Sequence, residues 1–258
     1  MTSSIPSWFV RAGCVAALGA FAFGASALAG GAREPIMVEL FTSQGCSSCP
    51  AADTFLGELQ ARQDVVAISF NIDYWDYIGW RDTLASHENT LRQQAYSRVL
   101  SSSHQVYTPQ MVIDGDDDVA GNQRDKALAI IEHCKSEDVD QRIPVTLRLT
   151  GDEVDVAVGP GPKKEATVWM AHTLSSRQVN IGQGENRGRV VTYHNVVRSF
   201  AAVGKFSGEP LSLRLPIKGQ PGENSDGIVV WVQIGEMGKI YGVAQIKLPL
   251  KNVAPVHH

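Results

Sequence analysis

Cysteine is scarce, four residues in 258, too few for a disulfide-stapled scaffold. An excess of positive charge is lacking too. Lys and Arg number 23 against 27 Asp and Glu, a net charge of −4, and no basic block occurs, so a phosphate-tracking surface for nucleic acid is not expected. The chain has no repeat of fixed period, which leaves no basis for a collagen-like or coiled-coil assembly. Apolar residues make up 43% and charged residues only 19%, which argues against global disorder. What remains is a globular, loop-containing chain with 24 Gly and 12 Pro, long enough for one or two domains.

The longest uncharged stretch lies at the N-terminus. Arg11 precedes an Ala- and Gly-rich run from Ala12 to Ala32, whose apolar centre, Val15 to Phe23, is short for a membrane-spanning helix. Ala27-Leu28-Ala29 then supplies a small-residue cleavage signature before Gly30. The expectation is a signal peptide over residues 1–29 and a periplasmic or secreted mature chain with no membrane association after cleavage. A retained N-terminal anchor is the alternative. Cleavage would remove Arg11 and Cys14, leaving 22 basic against 27 acidic groups and three cysteines, Cys46, Cys49 and Cys134. Cys134 ends the segment DKALAIIEHC, whose helical apolar spacing predicts a packed, reduced thiol.

Past the signal, Ile36 to Phe41 is a short apolar run read as a buried strand, and a helix is predicted from Cys46 to about Ala61. Val65 to Ile72 reads as a second buried strand. Strand, helix, strand is the unit that builds a parallel sheet. An aromatic and acidic connector, DYWDYIGWRD, leads to a polar helix from Ser86 to about Leu100. A strand after Pro109, a hairpin turn at Asp114-Gly115, a short strand Val119-Ala120 and the Cys134 helix complete a first domain, residues 34–142. From Pro144 the texture changes to about seven β-rich segments separated by turns, predicting an antiparallel sandwich-like domain over 144–250.

The chemistry concentrates in Cys46-Ser47-Ser48-Cys49. A C-x-x-C motif can be half of a zinc site, a copper site or a dithiol. Zinc would need a second ligand pair, and no second C-x-x-C or H-x3-5-H precedes the terminal His257-His258. Between a strand and a helix, the spacing places Cys46 at the helix N-terminus, where unpaired N–H groups and the helix dipole favour a thiolate. Cys46 is then the nucleophile and Cys49 the resolving thiol. Thr108-Pro109 supports this reading: a cis bond there would bring the backbone toward the dithiol and leave Thr108 free to pair with an extended substrate. An ordinary trans proline opening an edge strand is the alternative.

The order strand, C-x-x-C helix, strand, helix, Thr-Pro strand, hairpin strand and helix resembles the thioredoxin fold over Glu34–Arg142. More narrowly, VELFTSQGCSSCPAAD, DYWDYIGWRD, RQQAYS, VYTPQMVIDG and TYHNVVR together resemble an exported thioredoxin-like family of unknown function, domain-of-unknown-function family 1223. The resemblance spans nearly all the mature chain and implies a fold, an α/β thioredoxin-like domain followed by an all-β antiparallel sandwich-like domain. It implies no substrate. The sequence departs from familiar thioredoxins in lacking a Trp before Cys46, in carrying Ser47-Ser48 between the cysteines and in placing Pro50 directly after Cys49. Glu39, seven positions before Cys46, is similar to the buried carboxylate that thioredoxins use as a proton relay; a Glu at the strand's solvated end or paired to an Arg is the other reading.

Tyr74, Trp75, Tyr77 and Trp80 would either wall a dithiol cleft or cap the core. The two serines would either donate to the thiolate or satisfy the first helical turn. Asp114, Asp116, Asp118 and Asp125 mimic part of a calcium loop, but Val119 stands where glycine is needed, so a solvated acidic hairpin is expected. The functional expectation is an extracytoplasmic thiol–disulfide oxidoreductase with catalytic residues Cys46, Cys49, Thr108, Pro109 and Glu39. It would need no cofactor and would act on protein or small-molecule thiols or disulfides. A Cu(I) chaperone using the same cysteines with His104 or Met111, and a binding protein with a static disulfide, are the alternatives.

Overall fold

The structure, a computed structural model, describes residues 34–101, 103–137, 139–217 and 225–249. The expected signal peptide, residues 1–29, lies outside them. Strands β1 (Ile36–Thr42) and β2 (Val65–Asn71) are buried at every position, as their continuous apolar sequences predict for strands covered on both faces. They pair in parallel, from Ile36 opposite Val65 to Thr42 opposite Asn71. Helix α1 (Cys49–Gln60) connects them.

Helix α2 (His87–Leu100), strand β3 (Gln110–Ile113), strand β4 (Asp117–Ala120) and helix α3 (Arg124–Glu137) follow. The sheet order through this half is β2-β1-β3-β4, with β3 antiparallel to β1 and β4 antiparallel to β3. The β3–β4 turn is made where expected: Asp114 and Gly115 both take positive φ, 47° and 71°, which glycine and aspartate tolerate. Asp114 is not solvated, however. Its carboxylate is fully buried, accepting from the Met37 amide at 2.9 Å and pairing with Arg142.

The seven C-terminal strands expected from the sequence are all present: β5 (Val145–Thr150), β6 (Glu153–Val158), β7 (Ala166–Asn180), β8 (Val190–Phe206), β9 (Leu211–Pro216), β10 (Gly227–Ile234) and β11 (Ile240–Lys247). They divide in a way the sequence does not display. Strands β5, β6 and β9 form a small antiparallel sheet, whereas β8 joins β2 and carries β7, β10 and β11 into one eight-stranded sheet, β11-β10-β7-β8-β2-β1-β3-β4. The sandwich is real, but one of its two layers continues the first sheet across residues 142–144. Val154, Val156 and Val158 of the small sheet pack on Val168, Met170, Val230 and Val232 of the large one.

Period-two alternation along β1 feeds two other cores. Ile36, Val38 and Leu40 face α1 and α3, meeting Ala52, Leu56 and Ile131. Met37 and Phe41 face the other way and share a cluster with Tyr96 of α2 and with Trp231 and Ile240 of β10 and β11. Full burial of each large apolar side chain contributes about 1.5–3 kcal/mol. Among the described residues no helix is long and apolar enough to cross a membrane.

Candidate functional site

Cys46 and Cys49 are joined in a disulfide with Cα atoms 5.4 Å apart, at the C-terminal end of β1 and the start of α1. The helix begins later than expected. Cys46 to Ser48 form a turn, closed by Cys46 N–H to Ser43 O and Cys49 N–H to Cys46 O, and Ser48 is the N-cap. Cys49 is thus the first helical residue and Cys46 lies three residues before it. Pro50 follows Cys49 and lacks an N–H, so the helix end offers Cys46 fewer donors than the sequence reading assumed. Ser48 makes no capping bond. Its hydroxyl lies 3.5 Å from Cys46 Sγ instead, which assigns that serine to the sulfur rather than to the helical turn.

Both sulfur-bearing residues are buried, Cys46 at 1% exposure and Cys49 at 0%, while Ser47 and Ser48 between them are exposed. The cover comes from two loops. Asn186, in the β7–β8 connection, donates through Nδ2 to the carbonyls of Gln44 at 2.9 Å and Cys46 at 2.8 Å. Gln44 is itself a junction: its N–H binds Asp82, and its Oε1 accepts from Trp80 Nε1 at 2.8 Å and from the Thr83 amide. Trp80 in turn packs beside Gly182 and Gly184 of the β7–β8 loop.

The other aromatics of the connector divide between the turn before Cys46 and the core. Trp75 lies against Gly45, where an added Cβ would come within 3.0 Å of Trp75 Cβ, and donates through Nε1 to Thr108 Oγ1 at 2.8 Å. It therefore spans from the turn before Cys46 to the Thr108–Pro109 segment. Tyr77 stacks on Trp75 with centroids 6.3 Å apart and stays 80% exposed. Tyr74 packs into the core.

The Thr108–Pro109 bond is cis. Pro109 and Ala52 of α1 flank Gly121, each placed so that an added Cβ there would sit 3.2 and 3.1 Å from their Cβ atoms. The Thr108 backbone has no hydrogen-bond partner among the described residues. His104 is exposed, and Met111 is buried among Leu40 and Val119. Cys134 is free and buried; burial, with Asp114 and Asp117 nearby, pushes its thiol up to about 12, in keeping with an inert packed cysteine.

Glu39 is not placed to relay protons to the dithiol. Alternation along β1 turns it away from α1, onto the α2 face. There it pairs with Arg92 Nε at 2.6 Å and accepts from the Tyr96 hydroxyl, with both partners buried. Arg92 is ringed by Phe70, Tyr96, Trp169, Phe200 and Trp231, its guanidinium 5.1–5.9 Å from each centroid, and also binds Gln233. The polar sequence of α2 is explained by this wiring, because its inward face carries Asn89, Arg92 and Gln93, each bonded to the sheet or to the loop before β3.

The acid on the dithiol side is Asp53, which the sequence reading passed over. It stands at 2% exposure on the buried stripe of α1, its carboxyl oxygens making no close hydrogen bond among the described residues and the Thr42 hydroxyl lying adjacent. Burial raises its pKa well above the usual carboxylate value, the adjacent Thr42 hydroxyl opposing and Asp82 adding to the rise. Its signal was available: a charged residue one turn after Cys49, between Ala52 and Phe55 on an apolar helix face. Gln44, Asp82 and Asn186 carried no comparable pattern.

Residues 37–233 match the family model described as protein of unknown function DUF1223. A crystal structure of an Agrobacterium tumefaciens protein is 33% identical, with a TM-score of 0.75, and the match covers 88% of this chain and all of that one. HBP35 of Porphyromonas gingivalis shares 13% identity and a TM-score of 0.55, covering 85% of this chain and 76% of that chain, a likeness of fold alone. A comparison with curated proteins gives no match. With the family model covering three quarters of its length and a solved relative at one-third identity, the chain belongs to the DUF1223 family.

Proposed function

We propose that the protein is an extracytoplasmic thiol–disulfide oxidoreductase acting through Cys46 and Cys49 on protein or small-molecule thiols. The observation that carries this reading is the closed Cys46–Cys49 disulfide on the strand–turn–helix junction, with Trp75 reaching from Gly45 in the turn before Cys46 to Thr108. The element order and the β2-β1-β3-β4 strand order resemble the thioredoxin arrangement and add support. The unpartnered Thr108 backbone suits pairing with an extended substrate.

In the oxidising direction, a substrate thiolate bonds to Cys46 Sγ and the Cys46–Cys49 bond breaks, its electron pair passing to Cys49. A second substrate thiol then displaces Cys46, so the substrate leaves as a disulfide and the protein as a dithiol. Ser48 Oγ, 3.5 Å from Cys46 Sγ, is placed to donate to the Cys46 thiolate released in that second step. Export rests on the signal-like sequence of residues 1–29.

The burial of both cysteines favours one second reading, a static structural bridge. A redox titration of the purified mature protein, with metal content assayed alongside, separates the readings. A potential in the range of exchange-active pairs supports the oxidoreductase. One well below about −300 mV supports the static bridge, and stoichiometric thiolate-bound metal supports a chaperone.

A further inference from the structure

Asp53 follows Cys49 by four residues on the buried stripe of α1. Side chains at that spacing are neighbours, with Cβ atoms about 5–6 Å apart, and helical Cα–Cβ bonds lean toward the N-terminus. Cys49 and Asp53 therefore share the buried face of the first turns of α1. Among the described residues both carboxyl oxygens of Asp53 are buried and make no close hydrogen bond, the Thr42 hydroxyl at the end of β1 being the adjacent polar group; Asn71 Oδ1 at the end of β2 and Asn186 Oδ1 are likewise buried without a partner. The titratable groups facing it from other elements are Asp82, from the connector, and Tyr193, from β8, whose pKa is raised by burial with Asp53 and Asp82 adding to it.

An ionised carboxylate in such a place is costly, so burial favours the neutral acid while the disulfide is closed. Reduction poses the complementary problem. Opening the bridge with a thiol creates an anion on Cys49, a residue at 0% exposure. Asp82 is already engaged, accepting from the amides of Gln44, Leu84 and Ala85 and from Asn71 Nδ2, and Glu39 is held by Arg92 on the other face of the sheet.

Building on the exchange reading, we infer that Asp53 is the proton-transfer residue for Cys49. As an incoming thiolate bonds to Cys46 Sγ, the electron pair of the broken S–S bond goes to Cys49 Sγ, which takes the Asp53 proton and becomes a neutral thiol, leaving Asp53 as the carboxylate. In the reverse step the Asp53 carboxylate takes the Cys49 proton. The Cys49 thiolate then attacks Cys46 Sγ of the mixed disulfide, and the substrate sulfur departs as a thiolate with the bonding pair. No external oxidant or metal enters either step.

The test uses the mature wild-type chain first. Carbon-13 NMR of the Asp53 carboxyl should show it titrating well above ordinary carboxylates in the oxidised protein, with a midpoint that moves on reduction because Cys49 titrates beside it. Asp53→Asn, which preserves shape and neutrality, should slow reduction by dithiothreitol about tenfold or more and abolish the part of the pH–rate profile due to the carboxyl. An ordinary midpoint, a midpoint identical in both redox states, or a variant of wild-type circular dichroism with an unchanged pH–rate profile would each overturn the inference. The exchange reading fails separately: a deeply reducing potential with intact Asp53–Cys49 coupling would remove exchange and keep the proton partnership. A normal potential without coupling would do the opposite.

Discussion

Asn186 Nδ2 donates to the backbone carbonyl of Cys46 at 2.8 Å, across 140 residues of sequence. Together with its bond to Gln44 this ties the β7–β8 loop down over the dithiol turn. Two hydrogen bonds at about 1 kcal/mol each set the scale for releasing it. Asn186→Ala should therefore raise the rate at which a small phosphine reduces the Cys46–Cys49 bridge by about tenfold or more. Stopped-flow reduction at fixed pH reads this directly, and equal rates in wild type and variant would mean that reagents reach the sulfur without moving the loop.

Stability should carry the signature of Asp53 as well. Its pKa is raised in the folded chain by burial, so its stabilising share is complete below the unfolded carboxylate pKa of about 3.9 and is lost as pH rises through the folded value. Asp82 and Asp114 are raised by burial too and act in the same direction, so the readout is the difference between proteins. Thermal melts of oxidised wild type and Asp53→Asn across pH 4–9 should show the balance moving toward the variant as pH rises. Parallel curves would count against a buried neutral acid at this position.

The Glu39–Arg92 pair should behave as structure, not as catalytic machinery. Arg92→Met would leave a carboxylate unpaired at 0% exposure, a loss of about 3–5 kcal/mol by urea denaturation, and the double change with Glu39→Gln should recover much of it. Glu39→Gln alone should leave the pH–rate profile of disulfide reduction unaltered.

Tyr77 offers a test of substrate contact, since it is 80% exposed, stacked on Trp75, and Trp75 holds Thr108. Tyr77→Ala should change thermal stability by no more than about 0.5 kcal/mol. Exchange with an aromatic-containing peptide disulfide should slow about fivefold, the effect of losing roughly 1 kcal/mol of stacking, while glutathione disulfide reacts as before. Equal slowing of both substrates would point to a disturbed dithiol instead.

The elements were legible because their signals are local. The apolar runs of β1 and β2 and the Asp114-Gly115 turn all act within a few residues, and so do the seven C-terminal strand patterns. What was hidden depends on distant pairing. Nothing in Val190–Phe206 announces that its Val196 lies opposite Ser69, and nothing near Asn186 announces Cys46. Glu39 was misread for a related reason: its position in the strand fixes which face it takes, but the C-x-x-C helix could have lain on either. Pro50 also shifted the helix start, because turn geometry over Cys46–Ser48 rather than apolar spacing sets where α1 begins.

Strand β8 gives β2 a neighbour it cannot do without. Every residue of β2 is buried, Ser69 Oγ donates to the His194 carbonyl, and Asn195 Nδ2 donates to the Ala67 carbonyl. A fragment ending at residue 142 would expose that apolar ribbon with its backbone donors and acceptors open, a template for strand-to-strand aggregation. The helical half is thus no portable cassette. Grafting it onto another protein would require bringing the β7–β8 hairpin along as its cover, and fragments made without it should be recovered from inclusion bodies rather than from solution.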